Sequence, residues 1–480
     1  MPGRTSPAAP LPDRFLPRSA SWYRRNLTRW APSPLGSLAP AILTGAVLAA
    51  ATMGLGLGQP IHAQAAATHD PALHRVLSEL EPEIARAMTD GRIPSLTMAL
   101  TVGDELLWSR GFGSANLRTR TPATPETVYI IASTLKPMIA TVVMQLVEEE
   151  LIGLDDPVSP HLGDLAIRGE DPSTPITVRH LLTHTSGLRG GFSSVPVWAD
   201  TVPMPMDTFL RERLVVEGPP GKEVRYSNPG FTVLGRLIEE LTGNPLQEEV
   251  RARIWEPLGM TSTAFAPTPG MEEVLAVPYR PDPETGAQAP IARVRFAEWP
   301  AGGAWGTVVD QARWVAASLA LTHPVSAADD GAGQEAEDGT GQGTENGAGQ
   351  GVNEGTGEAG TGTGEAAESN TSIRPEGRLL RPETARLMQT LDSPDFTGAM
   401  AGGWGGSGAG YGLAWWTATL NGERYIAHSG SVGGYTAFTH GNVDRRLGVA
   451  ILTNGQRAHP HLVRLSLLAT ELMAREGLDR

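Results

Sequence analysis

The 480-residue chain has no cysteine. That excludes structural disulfides, thiolate metal sites, a cysteine nucleophile and a lipid-modified N-terminal cysteine. Lysine is almost as scarce. Of 38 basic residues only Lys136 and Lys222 are lysine, and the rest are arginine. A G+C-rich genome is the plain explanation for the bias. It makes each retained lysine informative, because arginine stays charged and cannot serve where a proton must be accepted. Basic charge is also short overall. The formal net charge is −14, which leaves no electrostatic footprint for nucleic acid.

The charge is unevenly spread. Asp329 to Glu368 carries ten acidic residues and no basic one, whereas the first 66 residues carry six arginines and one aspartate. Arg4, Arg14, Arg18, Arg24, Arg25 and Arg29 precede a stretch from Trp30 to His69 without Asp, Glu, Lys or Arg, apolar at its centre from Leu38 to Leu57. Ala63-Gln64-Ala65 then offers a small-x-small cleavage pattern. This order predicts a signal peptide over residues 1–65, with Arg24-Arg25 resembling a twin-arginine signal. An uncleaved anchor is the competing reading, weakened by Gly54, Gly56, Gly58 and Pro60. The chain is expected to be exported, periplasmic or extracellular, with membrane contact only through that segment.

Residues 325–373 break the globular pattern. Gly, Glu, Ala, Thr and Gln dominate, aromatics are absent, and Gly-Ala-Gly-Gln occurs at both 331–334 and 347–350. Such a composition buries too little apolar surface to offset its ordering entropy, which predicts a disordered insertion. The remainder, 69–476, reads as one discontinuous catalytic domain. Apolar spacing predicts helices from Leu73 to Met88, Ser133 to Leu151 and His461 to Arg475. Strands are expected at Ser95 to Val102 and Glu105 to Phe112 around Gly103-Asp104, and at Arg424 to His428, Tyr435 to His440 and Leu447 to Thr453. Strands at both ends with helices between them predict an α+β fold. One antiparallel sheet from both chain ends (about 70–126 and 390–476) is flanked by helices, and a mostly helical middle lobe takes 127–324 and 374–389.

Ser133-Thr134-Leu135-Lys136 is a Ser-x-x-Lys motif at an expected helix start, with both side chains on one face. Serine needs a base to become nucleophilic, and a desolvated lysine can be one. Taken alone the motif is common, and Ser133 as an ordinary N-cap is the bland alternative. Tyr226-Ser227-Asn228 sits in a loop-like stretch where tyrosine can relay a proton and asparagine can orient lysine and substrate; Ser-Asn-Pro-Gly also fits a simple turn. His428-Ser429-Gly430-Ser431 ends an expected strand, where glycine permits close backbone approach and an amide can face an oxyanion; a bulge or turn fits equally. His180 and His184 are spaced four apart like zinc ligands, but no Glu follows His180. Trp198, Phe192 and Pro203-Met204-Pro205-Met206 are candidates for a substrate loop or for packing.

Together these elements resemble the serine β-lactamase and penicillin-binding superfamily, on its class C-like branch with D-Ala-D-Ala carboxypeptidases, D-aminopeptidases and family VIII esterases. Gly153-Leu154-Asp155-Asp156-Pro157-Val158, the run Ile176 to Leu188, Pro300-Ala301-Gly302-Gly303 and Tyr411-Gly412-Leu413 carry the likeness further. The resemblance implies Ser133 as the acylated serine, Lys136 as its base and Tyr226 as partner in proton transfer. It implies Asn228, His428, Gly430 and Ser431 as substrate-binding, with the amides of Ser133 and Ser431 as the oxyanion hole. It implies no metal and no cofactor, and a small ester, peptide or β-lactam as substrate. One departure matters: β-lactamases of this group have Lys where this chain has His428, which favours esters or D-amino-acid peptides over β-lactams. A true β-lactamase and a non-catalytic penicillin-binding sensor are the alternatives.

Overall fold

In the computed structural model the described residues are 70–190, 197–198, 205–295, 297–320, 379–390, 392 and 409–479. The expected signal segment, the insertion at 325–373, Phe192 and Pro203-Met204 lie outside them. The architecture is built on an eight-stranded sheet. Its strands are β1 (Ser95–Val102), β2 (Glu105–Asn116), β3 (Thr121–Pro122), β4 (Gly410–Tyr411), β5 (Trp416–Leu420), β6 (Glu423–Val432), β7 (Tyr435–Asn442) and β8 (Leu447–Thr453). The order across the sheet is β4-β5-β6-β7-β8-β1-β2-β3. β8 pairs antiparallel with β1, Ala450 opposite Ala99, so the two chain ends meet in mid-sheet as expected.

Both sheet faces are covered, so every residue of the central strands β7 and β8 is buried. Leu96, Met98 and Leu100 of β1 and Val449 and Ile451 of β8 pack with helix α1 (Pro71–Asp90) and the final helix α5 (His459–Arg475). Asp70 caps α1, its Oδ1 accepting from the Ala72 amide at 2.7 Å. The opposite face carries Ala99 and Ala450, and helix α4 (Val308–Ala320) lies on it. Small residues let α4 approach: a Cβ on Gly448 would come within 2.8 Å of Val315, and one on Gly441 within 2.7 Å of Leu319. The sequence reading put 308–320 in the middle lobe. Its packing partner is the sheet, because the glycines that admit it lie more than 100 residues later.

Helix α2 (Lys136–Glu148) departs from expectation in two ways. Its apolar stripe is only part of its buried surface, because every residue from Lys136 to Leu146 is buried. A helix buried all round is a core helix, not an amphipathic one. It also starts at Lys136, preceded by a 3₁₀ turn over Ala132–Leu135. Pro137 explains this: lacking an N–H, it cannot bond the Ser133 carbonyl four residues back, and the Lys136 amide takes that carbonyl instead. Helix α3 (Asn228–Thr242) begins where the sequence suggested a turn. Ser227 is its N-cap, its Oγ accepting from the Gly230 amide at 3.1 Å, and Pro229 fits the first turn.

Asn454, just past β8, ties the lobes' seams together. Its Oδ1 accepts from the Ser95 amide (2.8 Å) and hydroxyl (2.7 Å), and its Nδ2 donates to the carbonyls of Ala115 (3.2 Å) and Val277 (2.9 Å). It is fully buried. Replacing Asn454 by Ala leaves several buried polar groups without partners, at about 1–3 kcal/mol each. Asn454→Ala is expected to lower the unfolding free energy by about 3 kcal/mol in urea titrations; a loss below about 1 kcal/mol contradicts this role.

Candidate active site

Ser133 and Lys136 lie on one side of the 3₁₀ turn, where side chains three apart nearly eclipse. Lys136 Nζ is 3.1 Å from Ser133 Oγ. The turn is held by Thr134, whose hydroxyl donates to Ile131 O at 2.7 Å and to Gln311 Oε1 at 3.1 Å. Ala132, immediately before Ser133, has φ +50°, a conformation that L-residues adopt only when their surroundings enforce it. Ser133 caps no helix with its side chain, which removes the bland reading.

The Lys136 side chain is fully buried. Besides Ser133, its Nζ meets Asn228 Oδ1 at 2.8 Å and Ala301 O at 2.6 Å, and it lies 4.9 Å from the Tyr226 ring centroid and 5.4 Å from that of Phe231. Burial pushes the amine well below its ordinary value of 10.5, and buried Glu298 only partly opposes this. A neutral amine has two N–H groups and one lone pair. Asn228 Oδ1 and Ala301 O are acceptors and take the two N–H groups. The lone pair then faces Ser133, whose O–H can donate into it.

Tyr226 precedes α3 and its hydroxyl hydrogen-bonds with Ser133. Burial raises its pKa, so at neutral pH it is a phenol. Its ring packs against His184 with centroids 4.2 Å apart and planes tilted by 40°, and His184 Nδ1 accepts from the Ser227 amide at 3.2 Å. That bond puts the proton of a neutral His184 ring on Nε2. Burial holds His184 far below its usual value, so it stays neutral. His180 is engaged elsewhere: its Nδ1 accepts from the Thr177 amide at 3.2 Å in a capping box at the helix Val178–Leu182.

The segment 428–431 is interior to β6, not the end of a strand or a bulge. The β6–β7 hairpin closes through Gly433 (φ +54°) and Gly434 (φ +86°), the two positive-φ residues of a type I′ turn. Val432 opposes Tyr435 and Ser431 opposes Thr436. The closing pair of such a hairpin exchanges its hydrogen bonds, so Ser431, one residue out, turns its N–H away from β7. On that side β5 reaches only to Trp416, opposite Ala427. The Ser431 side chain is exposed. Gly430 makes a closer approach than expected, to the Ser133 turn itself: a Cβ there would lie 2.5 Å from Ser133 N and 2.7 Å from Ala132 Cβ. Gly302 faces the same turn, where a Cβ would lie 2.9 Å from Ala132 C.

His428 is fully buried. Its Nδ1 is 2.8 Å from Ser429 O and its Nε2 is 3.0 Å from the Tyr411 hydroxyl. Burial brings its pKa down to about 3. The structure therefore brings together Ser133, Lys136, Tyr226, Asn228 and Gly430, with Ser431 on the adjoining strand edge. His428 stands behind this group, both nitrogens engaged. Sequence reasoning assigned no role to Ala301 or Tyr411, although both lie in the family-like segments, and read His184 as structural. Glu298 left no signal at all.

The Beta-lactamase family model matches residues 80–472. The chain belongs to that family. Esterase EstB of Burkholderia gladioli is 31% identical over 261 residues, covering 47% of this chain and 65% of the esterase. The unguisins hydrolase of Aspergillus violaceofuscus is 28% identical over 254 residues, 50% of this chain and 45% of that protein. The chain thus spans less than two thirds of these curated relatives. Among solved structures, the octameric penicillin-binding protein homologue from Pyrococcus abyssi superposes with a TM-score of 0.61 at 26% identity, covering 83% of this chain and 77% of that one. The Ser133 turn lies against Gly430 of β6, and that contact is testable. Gly430→Ala forces the turn to shift, and misplacement of about 1 Å costs roughly 10²-fold in rate. The variant is expected to fold yet lose about that much kcat/KM on p-nitrophenyl butyrate; wild-type kinetics would show that the approach is not needed.

Proposed function

We propose that the chain is an exported serine hydrolase that acts on esters or D-amino-acid peptides through a covalent acyl-enzyme on Ser133. The observation that carries the reading is the setting of Lys136: fully buried, its Nζ 2.8 Å from Asn228 Oδ1, 2.6 Å from Ala301 O and 3.1 Å from Ser133 Oγ, so that a neutral amine there leaves its lone pair to Ser133. Lys136 takes the Ser133 proton as Oγ attacks the substrate carbonyl. The amides of Ser133 and Ser431 receive the negative charge that develops on the carbonyl oxygen. Tyr226, a phenol in contact with Ser133, passes a proton to the leaving group as the carbonyl–leaving-group bond breaks. Water then attacks the acyl ester, giving its proton to the Tyr226 phenolate, and the Lys136 ammonium returns its proton to Ser133 Oγ as the ester bond breaks.

Esterase EstB and the penicillin-binding protein homologue support acyl transfer as the reaction class. The buried, neutral His428 supports uncharged substrates such as simple esters over β-lactams, because it supplies no cation for a substrate carboxylate. The class C-like branch and the roles given to Asn228, Gly430 and Ser431 belong to this reading.

Ser133→Ala and Lys136→Arg are each expected to lose about 10³-fold or more in kcat/KM on p-nitrophenyl butyrate, and Ser133→Ala is expected to lose labelling by a fluorescent penicillin. Lys136→Arg keeps a positive charge but cannot accept a proton, so full activity in it removes the base from the scheme. The wild-type acid limb should fall well below pH 10.5, since only the neutral amine is competent. A limb at the ordinary lysine value contradicts the buried neutral state. Nitrocefin turnover faster than ester turnover would replace the esterase reading with a β-lactamase one.

Export is read from the first 65 residues. Protein recovered outside the cytoplasm is expected to begin near Ala66, and Arg24→Lys with Arg25→Lys to remain inside. Recovery of the intact N-terminus instead supports the anchor.

A further inference from the structure

The Ser133 turn and helix α4 start side by side. Tyr129–Ile130 pairs antiparallel with Trp305–Gly306, and the Ile131 amide donates to Ala304 O at 3.0 Å. The chain runs on from one strand into the Ser133 turn and from the other into α4. From near the start of α4, Gln311 reaches across to Thr134. Both side chains are fully buried, and the Thr134 hydroxyl lies 3.1 Å from Gln311 Oε1. This bond contributes little to stability. Thr134 has one hydroxyl proton, and Ile131 O at 2.7 Å accepts it as well, so loss of Gln311 leaves Thr134 satisfied. The other half of the amide, Gln311 Nε2, is buried with no hydrogen-bond partner among the described residues, which is unfavourable for the fold. A core position with no other duty is better filled by an apolar side chain of that length. What the amide supplies is a fixed point. Ala132 holds φ +50° one residue before Ser133, and a turn under that strain stays in place only when its surroundings enforce it. Gly430 and Gly302 bound the turn by crowding. Gln311 adds a directed hydrogen bond to the residue next to the nucleophile.

We propose that Gln311 is a positioning residue for the nucleophile: through the Thr134 hydroxyl it anchors the strained Ser133 turn to α4, and so fixes where Ser133 Oγ stands relative to Lys136 and the edge of β6. The inference rests on the acyl-transfer reading above and adds to it a residue that touches none of the reacting atoms. The Lys136 amine is held by other groups, Asn228 Oδ1 and Ala301 O. Gln311 therefore acts on the hydroxyl side of the Ser133–Lys136 pair and leaves the setting of the amine alone.

The test measures activity and stability on the same variants. Gln311→Met keeps a side chain of similar length and removes both amide groups. It is expected to lower kcat/KM on p-nitrophenyl butyrate about tenfold, less than a full 1 Å misplacement would. Its urea midpoint is expected to stay at or above that of wild type, and the acid limb of its pH profile to stay where wild type has it. Thr134→Val is expected to lose a similar factor, and Thr134→Ser, which keeps the hydroxyl, to stay within about twofold of wild type. The double variant Gln311→Met, Thr134→Val is expected to lose no more than the larger single loss, because the two side chains act as one unit. Activity of Gln311→Met within about twofold of wild type overturns the proposal, and so does a double loss equal to the product of the single ones. A lowered urea midpoint in Gln311→Met also overturns it, by marking the amide as a support of the fold. A displaced acid limb does the same, by marking the amine as the group disturbed. If wild type turns over butyrate no faster than Ser133→Ala, the acyl-transfer reading itself falls, which is a different result.

Discussion

An amine with no water around it is the constraint on which this site depends. Lys136 is fully buried, and desolvation alone drives its proton affinity far below that of a solvated lysine. The arrangement is costly for the fold. Between the lowered value and about 10.5 the unfolded chain holds a proton that the folded chain has lost, so this group's contribution rises with pH across that window and is unfavourable at neutrality. The rest of the molecule offsets this. α2 is buried on every side, α3 delivers Asn228, and the turn at Trp299–Ala301 delivers a carbonyl. The three oxygens around Nζ come from residues 133, 228 and 301, and only the first is a hydroxyl able to give up a proton.

The second constraint is closeness of backbones. The Ser133 turn is wedged between β6 and the segment after Pro300, at separations that leave no room for a Cβ at Gly430. This contact joins the sheet to the core of the middle lobe, and it depends on a strained Ala132 being held in place. In the proposed scheme the two layers therefore share the work: the Ser133 turn and helical lobe carry Lys136, Asn228, Tyr226 and one oxyanion amide, and the sheet carries the other at Ser431. The aromatic groups behind them, His184, Tyr411 and His428, are all held neutral by burial, which in the proposed scheme leaves Lys136 as the base.

Much of this was legible in residue order. The scarcity of lysine pointed to Lys136 because no arginine can replace a proton acceptor. Ser95 to Val102 and Leu447 to Thr453 were read to the residue, since β-rich runs bounded by turn residues have few other solutions. Helix boundaries were less clear. Pro137 fits the first turn of a helix, but its missing N–H also leaves the preceding turn in 3₁₀ geometry, and Ser-Asn-Pro-Gly looked like a turn because capping residues and turn residues are the same residues. Helix α4 was assigned to the wrong neighbour, because its apolar face does not say which surface will cover it.

The sequence by itself determined which chemistry is available: a hydroxyl and an amine one turn apart, a tyrosine and an asparagine nearby in a second motif, and a histidine where a cation is common. Those are properties of side-chain type and short-range spacing. Tertiary structure alone decided the ionisation states. Whether Lys136 is a base, whether Tyr226 is a phenol and whether His428 is charged depend on desolvation and on partners up to 165 residues away in sequence, such as the Ala301 carbonyl. Tyr411 shows the limit most clearly. Nothing in its local sequence says that it meets His428, and only the pairing of β4, β5 and β6 brings that hydroxyl to that nitrogen.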